Sequence, residues 1–366
     1  MAEPLKYLIN TEAVKFLGDV LVQHFQYFDA ERFTKQASAE IDDLSLTQRV
    51  DCLAELICEQ LDTDFAQVAP KLLLLAEQWQ KMGSDVGWES YIAWPIITYA
   101  GKAGIKTPEI ALPVLGVLTS LFTAEFAVRL YINEYFDISY QHMLAWAESD
   151  DLHKRRLASE GLRPRLPWGT RLDNIPLDKA LELLALLRDD DSLYVRKSVA
   201  NHLNDLSKSH PEKILQLCRE WQKDATPVRL WIIGRALRTL QKQAHPEALA
   251  ILGYQQYLAI NHRFSLSQHE YQLGEAVELV AELHNVSDKT QSLLVDYELH
   301  LPRANGAMSS KVFFWQRLTL AAGESIALQK KQLMQQLSTR KLYPGQHEIR
   351  LRVNGQVLAG EAFMLK

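Results

Sequence analysis

Apolar residues recur at three- and four-residue intervals through most of the first 257 positions, with polar residues in the opposite phase. That rhythm predicts helices near 12–28, 41–60, 66–84, 90–101, 107–118, 121–147, 151–161, 177–188, 193–208, 211–223, 227–241 and 245–255. Breaks such as Ser209-His210-Pro211 and Ala244-His245-Pro246 put proline in the first turn of the next helix, where a missing N–H costs nothing. From about residue 262 the period falls to two. Val277, Leu279, Ala281 and Leu283 share one face with Glu278 and Glu282 opposite, and Leu293, Val295, Tyr297 and Leu299 alternate with Asp296, Glu298 and His300. Further strands are expected over 312–320, 348–353 and 356–365, the last two joined by Asn354-Gly355, a two-residue hairpin signal.

The helical part also repeats itself. Val195-Arg-Lys-Ser-Val-Ala-Asn-His202 aligns with Val228-Arg-Leu-Trp-Ile-Ile-Gly-Arg235 at a spacing of 33, and His153-Lys-Arg-Arg-Leu-Ala-Ser-Glu160 aligns with the first at 42. Helix pairs with this period are HEAT-like repeats. The expected fold is therefore an all-α HEAT-like repeat solenoid over residues 1–257, followed by an immunoglobulin-like β-sandwich over 262–366. In this register Glu160, His202 and Arg235 are equivalent, and all three are expected to face the same groove.

Composition narrows the classes. A chain of 366 residues with 47% hydrophobic and 23% charged residues is globular and long enough for one long or two ordinary domains. No window reaches eighteen consecutive apolar residues and no basic segment precedes an apolar run at the start, so a membrane span is not expected and a cytoplasmic location is. Three cysteines without a CxxC pair, scattered histidines without HExxH, and no glycine-rich phosphate loop leave no expected metal or cofactor. The net charge of -5 hides an asymmetry: from Asp151 to Ala244 there are 18 Lys and Arg against 12 Asp and Glu, so this stretch carries +6 and the remainder -11. A basic surface of that kind suits a phosphate backbone.

Its centre is Gly161-Leu-Arg-Pro-Arg-Leu-Pro-Trp168-Gly-Thr-Arg171, a proline-stiffened loop that directly follows Glu160. Arg163, Arg165 and Arg171 lie in it, and Arg155, Arg156, Arg196, Lys197, Arg229 and Arg235 lie on the neighbouring helices, with Asn201 on a polar stripe. Cations near helix N-termini forgo the dipole interaction unless an anion joins them, which favours backbone phosphate contacts. Each candidate also has a plainer reading. Glu125 has the spacing of a solvated acid paired with Arg129, Glu160 that of a partner for its arginines, and Trp168 that of a plug for the solenoid; Trp231 reads as core and Asp189-Asp-Asp191 as a helix cap and turn.

Glu160-Gly-Leu-Arg-Pro-Arg-Leu-Pro-Trp168, followed by Asp191-Ser-Leu-Tyr-Val-Arg-Lys-Ser-Val-Ala-Asn-His-Leu-Asn-Asp-Leu-Ser-Lys208, resembles the AlkC branch of the bacterial HEAT-like DNA alkylation-repair glycosylases, related to AlkD. The resemblance covers residues 1–257, and the C-terminal module matches one AlkC subgroup. It implies hydrolysis of the N-glycosidic bond of cationic bases, 3-methyladenine and also 3-methylcytosine, in double-stranded DNA without conventional base extrusion. It further implies Glu160 as the main catalytic carboxylate, Glu125 as a second acid beside the lesion, Trp168 as the aromatic contact, and arginines 163, 165, 196 and 229 on phosphates. The arginines are expected to keep Glu160 ionised. The long 161–176 insertion departs from the AlkD pattern, so AlkD's set of two aromatics and an aspartate is not carried over. In the C-terminal module Arg350 and Arg352, with Lys311 and Arg317, are expected to face the duplex and Lys330–Lys331 to lie in a loop. A monomer is expected, and the alternative function is a non-enzymatic HEAT-like scaffold binding nucleic acid or protein.

Overall fold

Local caps cut the first part of the chain into helices. Asn10 and Asp29 accept from the N–H groups of Ala13 and Arg32 at 2.9 Å, Asp151 accepts from His153 at 2.8 Å, and Ser45 with Gln48 forms a capping box. Pro108, Pro211, Pro227 and Pro246 each open a helix. The computed structural model describes residues 5–61, 64–82, 91–256, 258–336 and 341–366. Residues 83, 84 and 90, expected at helix ends, and residue 257, the expected domain end, lie outside the described residues.

Three differences from the periodicity stand out. The expected 121–147 helix is two, Glu125–Glu134 and Phe136–Ala147, hinged on Tyr135 alone (φ -132°, ψ 60°). The apolar rhythm runs through that hinge, so nothing in the local sequence marks it. Ala30–Glu40 is an additional helix whose only buried residues are Phe33 and Ala37, too thin an apolar stripe to register as a period. The 227–241 segment breaks at Leu237 into Pro227–Ala236 and Arg238–Lys242.

The chain forms two compact units, Met1–Leu206 with Ala225–Ala236, and Ser207–Asp224 with Leu237–Lys366. In the first, the helices Leu152–Gly161, Leu193–Leu206 and Pro227–Ala236 pack successively against one another, as a repeat with their spacing requires.

The second unit contains two sheets, with strand orders β1-β3-β6 and β2-β8-β7-β4-β5. The strands are β1 Ile260–Leu266, β2 Glu270–Tyr271, β3 Ala276–Asn285, β4 Gln291–Pro302, β5 Met308–Leu320, β6 Ser325–Leu333, β7 Gly345–Val353 and β8 Gln356–Leu365. All pairings are antiparallel except β2 with β8. Leu279, Ala281, Val295, Tyr297, Trp315, Leu351 and Phe363 bring both sheets into one apolar core, the immunoglobulin-like arrangement. Asn354 and Gly355 both take positive φ (47° and 82°) between the paired Val353 and Gln356, as a two-residue hairpin demands.

Several basic residues of this module have partners within its unit of the chain. Arg350 pairs with Glu348 at 2.7 Å, buried Arg352 donates to the Lys242 carbonyl at 3.2 Å, and Arg317 lies over the Phe314 ring. Lys330 and Lys331 belong to β6 rather than a loop, with Lys331 on Glu278 at 2.6 Å.

Within the first unit one close approach fixes the helix that carries Glu125. Gly101 of the Trp94–Ala103 helix faces Ala127 so tightly that an added Cβ would sit 2.8 Å from the Ala127 Cβ, and Tyr131 donates to the Gly101 carbonyl at 2.9 Å. Helix propensity alone would favour alanine here by about 1 kcal/mol. Overpacking against a rigid neighbour costs more, so Gly101→Ala is expected to destabilise by roughly 1–2 kcal/mol net. A urea midpoint equal to or above wild type would show that this contact does not constrain the helix.

Candidate active site

Two carboxylates that the chain separates by 35 positions meet in the first unit. Glu125 opens the Glu125–Glu134 helix and is 6% exposed; Glu160 closes the Leu152–Gly161 helix and is 5% exposed. Arg156 bridges them, reaching Glu125 Oε2 at 2.5 Å and Glu160 Oε1 at 3.9 Å, while Thr123 donates to Glu125 Oε2 at 2.6 Å. The Tyr194 ring lies against the Arg156 guanidinium, 5.1 Å from ring centroid to cation. Burial pushes the Glu125 carboxyl above its ordinary pKa; Arg156 opposes the rise and Glu160 adds to it.

Arg163 holds Glu160 from the other side. Its Nη1 contacts Glu160 Oε1, and its Nε and Nη2 donate to Asp205 Oδ2 at 3.1 and 2.8 Å. Burial works against the Arg163 charge, but Glu160 and Asp205 outweigh it and hold the guanidinium above its usual pKa. A buried carboxylate, a buried arginine and a second buried carboxylate thus form one chain of charge-assisted hydrogen bonds.

The loop that follows is tied down by Arg129, which is 0% exposed. Its Nε donates to the Thr170 carbonyl at 2.6 Å, and its Nη1 to the carbonyls of Gly161 and Arg163 at 3.0 and 2.9 Å. Burial lowers its pKa to about 10. Arg129 is therefore a clamp on the loop backbone, not the i+4 partner of Glu125. Leu166 and Leu172 are buried and anchor the loop, which leaves Trp168 raised between them, 64% exposed. Trp168 sits at φ 62°, a conformation costly for a bulky residue, by roughly 1–3 kcal/mol. Its ring plugs no core; with Trp94, Phe126 and Leu130 it lines a shallow cavity of about 210 Å³.

Beneath Glu160 the site is sealed by neutral groups. Ser198 donates to Ser159 Oγ at 2.9 Å, and His202, fully buried, has Nδ1 2.9 Å from the Ser159 carbonyl. Burial, followed by the nearby Arg163 charge, lowers the His202 pKa to about 4. Glu160, His202 and Arg235 therefore do not share one environment as the repeat register led us to expect. His202 is core, and Arg235 is exposed beside the Trp231 ring.

The expected phosphate contacts divide in two. Arg155 is bound to Asp190 at 2.6 Å and to the carbonyls of Ser149 and Asp150, and buried Arg229 is bound to Asp189. With Arg163 these two stabilise repeat packing and the acid pair rather than offering an open cation, because carboxylates far away in sequence occupy their forks. Asp189 and Asp190 are thus clips between helices, and Asp190 also accepts from the Ser192 N–H at the next helix start. Arg165 and Lys197 are exposed, Asn201 is half-buried, and Arg171 pairs with Asp173 at the surface. Arg196 and Arg235 both lie against the Trp231 ring, 5.8 and 5.4 Å from its centroid, so Trp231 is a stacking platform and only partly core.

Tyr194 is a member of this site that sequence reasoning did not single out, while Arg129 is expected there only as the helical partner of Glu125 and Asp205 only as one of the polar residues, with Asn201 and Asn204, on the 195–208 helix. Asp205 had one available signal: its alignment places it two turns beyond the motif's basic run, on a stripe that also carries Asn201. Among the described residues no group of three or more His, Cys, Asp and Glu is arranged to hold a metal, and no helix is long and apolar enough to cross a membrane.

The family described as DNA alkylation repair enzyme matches residues 122–247, which span Glu125, Glu160 and Asp205, and that described as the C-terminal Ig-like domain of uncharacterised protein YhaZ matches 261–366. The chain is 32% identical over 357 residues to protein YhaZ of Bacillus subtilis, covering 96% of this chain and 97% of that one. Among solved structures it is similar to the Pseudomonas fluorescens alkylpurine DNA glycosylase AlkC bound to DNA containing an abasic site analog, at 32% identity and a TM-score of 0.93, with 100% of each chain covered. Likeness of this extent, over both the acid-bearing helical region and the β module, means that the chain belongs to the AlkC family of alkylpurine DNA glycosylases, in the subgroup with a C-terminal immunoglobulin-like domain.

Proposed function

We propose that this protein hydrolyses the N-glycosidic bond of cationic alkylated bases in duplex DNA, 3-methyladenine and 3-methylcytosine among them, without extruding the base into a pocket. The observation that carries the reading is the pair of buried carboxylates, Glu125 and Glu160, bridged by Arg156, with an exposed, strained Trp168 in the loop that follows Glu160. A scaffold that only gripped DNA would gain nothing from desolvating two neighbouring acids.

The chemistry follows from where charge develops. A methylated base is already positive and departs as a neutral molecule with the electron pair of the C–N bond, so it needs little acid assistance. Positive charge grows instead on the deoxyribose, and water must form the new bond to C1′ while losing a proton. Both arginine contacts on Glu160 fall on Oε1, so Oε2 is the oxygen suited to face the sugar and the water. A carboxylate held in place before the reaction stabilises that charge without reorganising. Glu125, whose proton affinity is raised by burial, suits the role of proton acceptor from the water. Trp168 supplies a flat face for the sugar or base. The exposed cations Arg165, Lys197 and Arg235, with Arg196 and Asn201, are the residues proposed for the phosphate backbone.

A neutral His202 matters because a cation under Ser159 would blunt the field of Glu160. The sign of its pH effect is set by its lowered pKa: the folded state disfavours the protonated ring, so its contribution is full above pH 6.5 and is lost as pH falls toward 4. Glu125, with a raised pKa, acts in the opposite sense, its contribution falling as pH rises through its folded value.

Three outcomes are expected. Glu160→Gln lowers single-turnover release of 3-methyladenine by about 100-fold or more while duplex affinity at fixed salt stays within severalfold; an unchanged release rate would sink the assignment. Trp168→Gly, which suits the positive φ, keeps or raises the thermal midpoint yet slows release by roughly tenfold. A variant both less stable and fully active would reverse that reading. His202→Asn flattens the decline in urea stability between pH 6.5 and pH 4, a decline worth about 3 kcal/mol at most in wild type; equal slopes in the two proteins would show that His202 does not carry it.

A further inference from the structure

Glu160 does not meet Arg163 alone. Arg163 offers three nitrogens in a rigid plane, and two of them, Nε and Nη2, are spent on Asp205 Oδ2 at 3.1 and 2.8 Å. Only the remaining end, Nη1, reaches Glu160 Oε1. Asp205 sits on the Leu193–Leu206 helix, 45 positions from Glu160, and its side chain is as deeply buried as those of Arg163 and Glu160. The backbone on either side of Arg163 is fixed as well: its N–H donates to the Glu160 carbonyl at 3.2 Å, and its own carbonyl accepts from Arg129.

We propose that Asp205 is a positioning residue of the glycosylase reaction, acting through Arg163 to set both the place and the effective charge of the Glu160 carboxylate. The inference rests on the reading of Glu160 given above. A guanidinium carries one positive charge. Shared with Asp205, it orients Glu160 without cancelling it; left to Glu160 alone, it would neutralise much of the negative potential that a cationic sugar must feel. The fork geometry adds a directional effect, because a planar group pinned along one edge cannot rotate the other end away from Oε1. The neighbouring His202, neutral and buried, contributes no competing cation at this point.

The test uses the full-length protein and two duplexes that differ only at one nucleotide, a neutral tetrahydrofuran abasic analogue or a cationic pyrrolidine analogue. Wild type is expected to bind the cationic duplex more tightly. Asp205→Asn, which keeps the shape and removes the charge, is expected to lose roughly tenfold of that preference while binding the neutral duplex as wild type does. Single-turnover release of 3-methyladenine should fall in parallel. In a Glu160→Gln background the same change should have little further effect on either readout, since the group it acts through is gone. If the asparagine protein does not fold, Asp205→Ser provides the same comparison. A purely structural Asp205 would lower the urea midpoint and leave the ratio of the two affinities at the wild-type value, and that result overturns the proposal. Absence of base release by wild type would instead count against the glycosylase reading, and the affinity ratio would still decide on Asp205.

Discussion

The site depends on one guanidinium. Arg163 lies between Glu160 and Asp205, all three side chains nearly out of contact with water, and the helices that bear the two acids are held at the separation its fork spans. Burying three ionised groups is expensive, and the expense is offset only if their hydrogen bonds are complete and well aligned. That condition makes the arrangement stiff. A carboxylate in such a setting cannot relax toward or away from a passing charge as one in water would, which is the property that electrostatic catalysis requires.

Arg129 extends the same constraint into the loop. By binding the carbonyls of Gly161, Arg163 and Thr170 it draws the chain on both sides of Trp168 onto one fully buried side chain, so the loop cannot lift without leaving a cation unpartnered. With those ends fixed, the chain must turn sharply at its crest. Trp168 takes the positive φ there, a place where glycine would be less strained and where its own neighbour Gly169 is available. Strain retained on a large exposed aromatic is best understood as the consequence of holding its ring in a set place beside Trp94, Phe126 and Leu130.

Much of this was legible in the sequence, and the parts that were not share one cause. Glu160, Trp168 and the loop arginines could be found because their composition is wrong for a core, and the β module because Val277–Leu283 and Leu293–Leu299 alternate cleanly. Asp205 looked like any polar position on a wet helix face. Arg155 and Arg229 looked like cations awaiting phosphate because the acids that satisfy them, Asp190 and Asp189, lie 35 and 40 positions away. Arg129 looked like a helical partner of Glu125 for the same reason. Periodicity reports which face is buried and is silent on which polar groups meet inside. Strands β1 and β6 escaped notice on different grounds: in β6 every second side chain points inward but two of these are Lys330 and Gln332, and in β1 the alternation is carried mainly by Phe264 and Leu266, so the apolar alternation that marks a half-buried strand is faint.

The two acids of the site are not interchangeable, and their partners explain why. Glu125 has one arginine and one threonine, and burial dominates its behaviour, leaving it with a raised affinity for protons. Glu160 has an arginine on each side, Arg156 at 3.9 Å and Arg163, which it shares with Asp205. An environment that separates two neighbouring carboxylates in this way suits them to separate work. In the glycosylase reaction proposed above, Glu160 would stand opposite the sugar on which positive charge grows, and Glu125, whose protonated form burial favours, would take up the proton that water gives away. A single arginine between them, Arg156, reaches both. In that proposed reaction, protonation of Glu125 would leave more of the Arg156 charge to Glu160 late, when the sugar has lost its positive character and the anion opposite it is no longer needed at full strength.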